Sequence, residues 1–362
     1  MHPEHSLPTV MPPQVAQPPP PSFRHEPVLV DEVLSFVPPD AGFLVDCTLG
    51  GGGHAEALLR AFPRAQLFGC DLDADAVAAA GARLAPFAGR ISLRRMPFSQ
   101  LGGHLLAQSV DFMLADLGAS SPQFDRGERG FSFSHDGPLD MRMDASGEGP
   151  TAAHLVNTLS RDALTDLLRR HGEERFARRI ALAIEEARRD APLERTGQLA
   201  ALIAAAVPGG RGRQKHQKRP KHRKRQKTLH PATRTFQALR IEVNGEIDEL
   251  SRLLDLALGL LQPGGRLAVI SFHSLEDRPV KSRFHRWESP CQCPSSMPYC
   301  ICGKRSAGRR VTRKPVVPAE AESTANPRAR SAKLRVFEKA ADQAAPPETP
   351  PAGIPPTGTP RP

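Results

Sequence analysis

The stretch Val45–His54, VDCTLGGGGH, decides the reading of this 362-residue chain once it is set beside Asp71. An apolar run, Phe43, Leu44 and Val45, ends in an acid, Asp46. The glycines Gly50 to Gly53 follow, and then a helix-like segment, AEALLRAF. A second apolar run, Leu67 to Cys70, ends in a second acid, Asp71. Strand, glycine turn, helix, strand and acid in that order form a nucleoside-binding βαβ unit. Glycine lets the chain turn tightly and lets backbone approach a ligand closely. A carboxylate at the tip of the second strand accepts hydrogen bonds from both hydroxyls of a ribose. Gly50 and Gly52 begin the dinucleotide pattern, but Ala55 holds its third position. On this spacing alone, NAD and S-adenosylmethionine both remain open.

Outward from this unit the chain alternates. Apolar runs at 42–47, 66–71, 91–95 and 110–116 have the length of buried parallel strands. Helical patterns fill the gaps, as in the Ala-rich Asp75–Leu84 that follows Asp73. The alternation stops near 135. From there to 207 the pattern is mostly helical, with Phe176, Ile180 and Ile184 on one face at four-residue spacing. It resumes with one long helix near 235–261, stopped by Pro263-Gly264-Gly265, and a strand, RLAVISFH, at 266–273. The expected organisation is a Pro-rich tail at 1–22, the first part of an α/β domain at 23–134 and an inserted all-helical subdomain at 135–234 containing a loop at 208–230. The second part of the α/β domain follows at 235–340, then a further Pro-rich tail at 341–362.

Charge is unevenly placed. Residues 211–227, RGRQKHQKRPKHRKRQK, hold ten Lys or Arg and no acid, so the net charge of +10 leaves 10 − 10, near zero, for the remainder. A run this dense does not fold alone and attracts phosphates by releasing their counterions. The N-terminal segment lacks the apolar core of a signal peptide, and LAALIAAAV at 199–207 is too short to span a bilayer. The expected compartment is the cytoplasm, with no membrane partner. Cys47 and Cys70 fall in strands and read as buried apolar residues. Cys291, Cys293, Cys300 and Cys302 form C-x-C-x6-C-x-C, which in a reducing compartment suggests zinc more than disulfides, although zinc pairs more often have C-x2-4-C spacing.

Chemistry gathers after the strand ends. Asp116 closes the fourth strand, where ligands collect in open α/β sheets, and Ser120, Ser121, Pro122 and Gln123 follow. The purely structural reading of Asp116 is a helix N-cap; a site role places Asp46, Asp71 and Asp116 along one edge of the sheet. The aperiodic RGERGFSFSHDGPLDMRMD at 126–144 reads as a lid, or as a loop packed down by Phe131, Phe133 and Met141. Arg234 and Arg240 follow the basic run, and His273, Glu276 and Asp277 crowd the end of the next strand.

Together DLGASSPQFD, RGFSF, GPLDMRMD, HPATRTFQALRI, SFHSLEDR and NPRARSAKLR resemble the bacterial small-subunit rRNA cytosine-N4 methyltransferases, the RsmH/MraW family, from about His25 to Arg335. The resemblance implies a class I SAM-dependent methyltransferase, a Rossmann-like, mostly parallel sheet with an inserted helical domain. It implies S-adenosyl-L-methionine as cofactor and N4 of a cytidine in the decoding region of 16S rRNA, within the small ribosomal subunit, as target. Carried over position by position, Gly52, Gly53 and His54 match the glycine turn at the methionine end of the cofactor. Asp71 matches the ribose acid, Phe98 an aromatic beside the adenine, and Asp116 and Gln123 contacts past the fourth strand. Asp116, or a nearby backbone carbonyl, is also the candidate to accept from the target amine. The basic run is longer than the family pattern suggests, and the cysteine cluster is not part of the simplest pattern.

Overall fold

Period-two burial sets the architecture. Along the first strand Leu44 packs into one apolar layer and its neighbour Val45 into the opposite one, both fully buried. A strand buried on both faces needs helices on both sides, which parallel crossovers supply. The computed structural model describes residues 27–208, 230–294 and 302–341. The basic run 211–227, Cys300 and the Pro-rich segments 1–22 and 342–362 lie outside the described residues.

In chain order the elements are α1 (Val30–Ser35), β1 (Phe43–Asp46), α2 (Gly53–Ala61), β2 (Gln66–Asp71), α3 (Ala74–Arg83), β3 (Ile91–Arg95), β4 (Val110–Asp116) and α4 (Ser121–Asp125). The helices α5 (Ala152–Thr158), α6 (Arg161–Gly172), α7 (Ala177–Asp190), α8 (Thr196–Ala206), α9 (Thr233–Asn244) and α10 (Glu246–Leu260) follow. The chain returns through β5 (Leu261–Ser271), α11 (Ser274–Glu288), β6 (Gly308–Arg310), α12 (Glu320–Ala325) and β7 (Lys333–Lys339). Among the described residues the strands make one sheet, ordered β3-β2-β1-β4-β5-β7-β6. β1 to β5 run parallel, and β7 enters antiparallel between β5 and β6. This is a Rossmann-like, mostly parallel sheet, and its switch point lies between β1 and β4, where ligands bind in open α/β sheets.

One face of the sheet is covered by α1, α2 and α3, with Leu58, Leu59 and Leu84 over Leu44, Leu67 and Phe112. The other is covered by α10 and α11, with Leu253, Leu254 and Phe284 over Val45, Met113 and Val269. Helices α5 to α9 have a separate apolar centre built on Leu164, Leu168, Ile180, Ile184, Leu199 and Phe236. Cys47 and Cys70 are buried in the strands, and burial pushes both thiols far above their ordinary range.

Three expectations change. The helical region anticipated from 135 begins at Ala152, after an irregular segment. The single helix at 235–261 is two helices, because Gly245 takes φ +59 and caps α9 with N–H bonds to Glu242 and Ile241 carbonyls. Asn-Gly is a turn signal, but continuous helical periodicity on both sides conceals it. With the break at 245, Phe236 and Leu239 of α9 pack in the helical layer, beyond the boundary expected at 234. Finally, Pro263-Gly264-Gly265 lies inside β5, not before it. Residues 262–265 bulge out where the β4 register skips from Val110↔Leu261 to Phe112↔Arg266. Gly245→Ala is expected to cost about 1 kcal/mol by forcing a side chain into the left-handed region; chemical denaturation of the two proteins measures it.

Candidate active site

Parallel pairing brings the carboxyl ends of β1, β2 and β4 together, and with them Asp46, Asp71 and Asp116. A cleft opens over this edge. Cys47, Thr48, Gly50, Asp71, Leu72 and Met96 wall it on one side, and Phe98, Asp116, Gln123, Asn244, Glu246 and Glu276 are among its other lining residues.

Asp71 is held by backbone. Its Oδ2 accepts from Gly50 N at 2.8 Å and its Oδ1 from Asp73 N at 2.9 Å. The glycine turn thus aims the acid, and Gly50 can turn this way because its φ is +48. Each carboxylate oxygen retains acceptor capacity for a ribose hydroxyl. Burial pushes the Asp71 carboxyl up to about 6, and only the amides of Asp73, Gly50 and Leu72 restrain the rise. Leu72, Met96, Pro97 and Phe98 give the cleft an apolar wall beside it, suited to a purine.

Gln123 belongs to a buried network. Its Oε1 accepts from Ser120 N at 2.9 Å, and its Nε2 donates to Asp73 Oδ2 at 2.8 Å. Asp73 caps α3 through Asp75 N at 3.0 Å and pairs with Arg129 at 3.0 Å. Arg129 donates to the carbonyls of Arg142 and Met143. The segment read as lid or packed loop is packed down here and reaches the cleft wall. Asn244 fixes it, accepting from Met143 N at 2.7 Å and donating to Met141 O at 2.8 Å, while Met143 lines the cleft. Phe131 packs edge-on to Phe124, and Phe133 stacks on His230 in the helical layer.

Asp116 lies on the cleft wall with its Oδ1 buried and without a hydrogen-bond partner. Its backbone N–H donates to Thr48 Oγ1 at 2.6 Å, so the turn after β1 and the end of β4 are locked together. Burial raises its carboxyl well above the usual carboxylate range, and the negative charges of Asp46 and Glu276 add to the rise. Behind it stands His54, with Nδ1 3.7 Å from Asp116 Oδ2 and Nε2 2.9 Å from the Val28 carbonyl. A carbonyl only accepts, so Nε2 carries a hydrogen, and Nδ1 is the ring nitrogen on the Asp116 side. Asp46 sits one step behind the wall. Its Oδ1 accepts from Thr48 N at 3.1 Å, its Oδ2 lacks a partner, and burial pushes it up to about 7.

Of the positions matched to cofactor contacts, Asp71, Phe98, Asp116 and Gln123 line the cleft. Gly52, Gly53 and His54 do not. Gly52 packs against Ala80 of α3, Gly53 against Pro27, and His54 is buried behind Asp116. Gly50 and Thr48 take the wall position instead. Sequence reasoning also missed Asn244, Glu246 and Glu249, which the break at Gly245 turns toward the cleft. The trio after β5 divides. Asp277 pairs with Arg335 of β7 at 2.6 Å, a buried tie across the sheet. Glu276 accepts from Phe272 N at 2.8 Å and meets His273 Nε2 at 3.1 Å. Burial opposes its ionisation, but the hydrogen bond and charge of His273 and the charge of Arg240 outweigh it and hold Glu276 below its ordinary range. Arg240 also binds Glu246 through two hydrogen bonds, at 2.8 and 3.0 Å, so its guanidinium is the cation of this cluster.

The buried carboxylates suit a cationic ligand, because a positive charge would restore the ionised state that burial opposes. Among the described residues no helix is long and apolar enough to cross a membrane. Ribosomal RNA small subunit methyltransferase H of Symbiobacterium thermophilum is 49% identical over 323 residues, covering 88% of this chain and 97% of that protein. Its namesake in Geobacter sulfurreducens is 48% identical over 323 residues, covering 88% and 99%. Among solved structures, an rRNA methylase from Streptococcus thermophilus superposes with a TM-score of 0.34 at 11% identity, covering 85% of this chain and 93% of that one. Residues 22–340 match the MraW methylase family, and the chain belongs to that family.

Proposed function

We propose that the protein methylates the exocyclic N4 of a cytidine in the decoding region of 16S rRNA, at position 1402 in the usual numbering. The methyl donor is S-adenosyl-L-methionine, which supplies an electrophilic methyl on a sulfonium. The observation that carries the reading is Asp116, a cleft-wall carboxyl with an unpartnered buried oxygen and the His54 ring 3.7 Å behind it. Two relatives of nearly the same length, named for small-subunit rRNA methylation, support the substrate class. The basic run 211–227 supplies charge for an RNA backbone.

The chain's own residues divide the work. Asp71 receives the ribose hydroxyls, and Phe98 with Leu72 shields the purine from water. Gln123 and Arg129 hold Asp73, and so keep the α3 end of the cleft rigid. Cytosine N4 is a weak nucleophile because its lone pair is shared with the ring. The Asp116 carboxylate accepts a hydrogen bond from the amine and so localises that lone pair. Transfer leaves N4 with an excess proton, which Asp116 takes and His54 Nδ1 stabilises from behind. The base must leave its stack to reach Asp116, and the Met141–Met143 segment and α9 flank the opening.

The test is methyl transfer from labelled cofactor to small ribosomal subunits from cells lacking the protein, followed by nucleoside analysis. Label in N4-methylcytidine is the expected result. Label in another nucleoside, or none from folded protein that binds the cofactor, would overturn the base assignment.

A further inference from the structure

The strongest feature outside the cleft is the segment joining α11 to β6. It holds Cys291, Cys293 and Cys302, whose sulfur atoms all lie within 4.8 Å of one another. The thiols come from two arms of the loop, separated by eight residues between Cys293 and Cys302. We propose that these three thiolates bind a soft divalent ion, zinc in the cell, as a structural clasp. Cys300 lies outside the described residues and is not counted among the ligands; water would complete the tetrahedron.

The geometry favours an ion over chance proximity. Tetrahedral zinc with Zn–S of about 2.3 Å sets its sulfurs roughly 3.8 Å apart. Thiols already within 4.8 Å need only sub-ångström shifts to reach that spacing. The backbone around them is shaped to bring them in. Gly303, directly after Cys302, takes φ +62, which folds the second arm back toward the first. Lys304 Nζ then reaches Gln292 Oε1 across the two arms at 2.6 Å, between the cysteines of the first arm and beyond the last of the second. The base of the loop is closed by Ala307 N–H to Trp287 O at 2.8 Å and by Arg310 to Glu288 at 2.7 Å. Lys304 and Arg305 place positive charge beside three sulfurs that must ionise to bind. Three thiolates and one divalent ion leave a net negative charge that these cations offset. All three cysteines are at least partly exposed, so an ion has access.

Its place in the fold makes the site structural. α11 starts beside the cleft, after Ser271 at the carboxyl end of β5, and runs to the opposite end of the sheet. There Gly308 pairs with Lys339, beside the residues that pair with the start of β5. The ion would therefore sit far from Asp116 and hold β6 on the sheet edge.

The full chain, purified in reducing buffer without chelator, should carry about one zinc per chain, released by a thiol-specific mercurial. Cys291→Ser and Cys302→Ser should each lower the content to under roughly a tenth, with unchanged affinity for S-adenosyl-L-methionine. Cobalt exchanged into the parent protein should show thiolate-to-metal charge-transfer absorption and the intense visible bands of a tetrahedral site. This spectrum decides the matter even if a serine variant fails to fold. Metal-free reduced parent protein that takes up no cobalt would overturn the proposal. So would a disulfide found in place of metal, or zinc retained in the Cys302→Ser protein. Because cofactor affinity is read separately, a failed clasp leaves the proposed methyl transfer standing.

Discussion

Asp116→Asn will lower methyl transfer by roughly 10²- to 10⁴-fold while changing cofactor affinity far less. Asparagine keeps the shape and keeps one acceptor oxygen. Its amide nitrogen is a donor, and His54 Nδ1 stands 3.7 Å from the place of Asp116 Oδ2 in the parent. The remaining oxygen still accepts from an amine. What the variant lacks is a site for the proton that N4 must shed. The effect therefore belongs in kcat, read in single-turnover experiments beside a direct titration of cofactor. Asp116→Ala removes the acceptor as well and should be the poorer enzyme. An Asp116→Asn protein that turns over at the parent rate would dismiss proton acceptance at this residue.

Asp46→Asn should make the folded protein more stable above neutral pH. Burial penalises the charge of Asp46 and pushes its carboxyl up to about 7, from an ordinary value of 3.8. Between those values the folded chain holds a proton that the unfolded chain has released. Stability then falls as pH rises from about 4 to about 7, and levels off above. The shift of about three units corresponds to roughly 4 kcal/mol at full extent. Asparagine carries no charge, retains an oxygen for Thr48 N, and gives the unpartnered Oδ2 position a neutral group. The stability difference between variant and parent should thus grow by about 3 kcal/mol between about pH 5 and pH 8. Urea unfolding at the two pH values measures it, and a difference that does not change with pH would refute the assignment. A carboxylate retained at such cost matches a site that receives a cation, and the sulfonium and ammonium of the cofactor carry two positive charges.

How much of this was legible beforehand depended on range. The βαβ unit was readable because its signals are consecutive: strand, glycines, helix, strand, acid. Asp71 and Asp116 were readable because each ends an apolar run, and parallel strands place their ends together. The division of labour within Gly50–Gly53 was not. Which glycine faces a ligand and which faces Ala80 or Pro27 depends on packing against α3 and the segment before α1. His54 was matched to the cofactor, yet its ring turns inward to the Val28 carbonyl, a contact spanning 26 residues. The Asp73–Gln123–Arg129 network joins three segments and leaves no periodic trace. Asn244 and Glu246 were hidden for a different reason: the helical pattern is unbroken across Gly245, and only the left-handed backbone there reveals two helices.

The place of β7 has a consequence for biosynthesis. Lys333–Lys339 is the last described strand in the sequence, yet it lies inside the sheet, hydrogen-bonded to β5 on one side and β6 on the other. A growing chain on the ribosome must make all of α10, β5 and α11 before this strand exists. Until Lys339 is free of the exit tunnel, β5 presents an open edge, and Arg335 is absent from Asp277. The β6 segment has no neighbour to pair with in that interval. In chains extended at the C-terminus and arrested on the ribosome, the later half should accordingly stay sensitive to protease while Lys333–Lys339 is inside the tunnel, and become resistant once that strand has emerged. The sheet closes from its middle, and closes last.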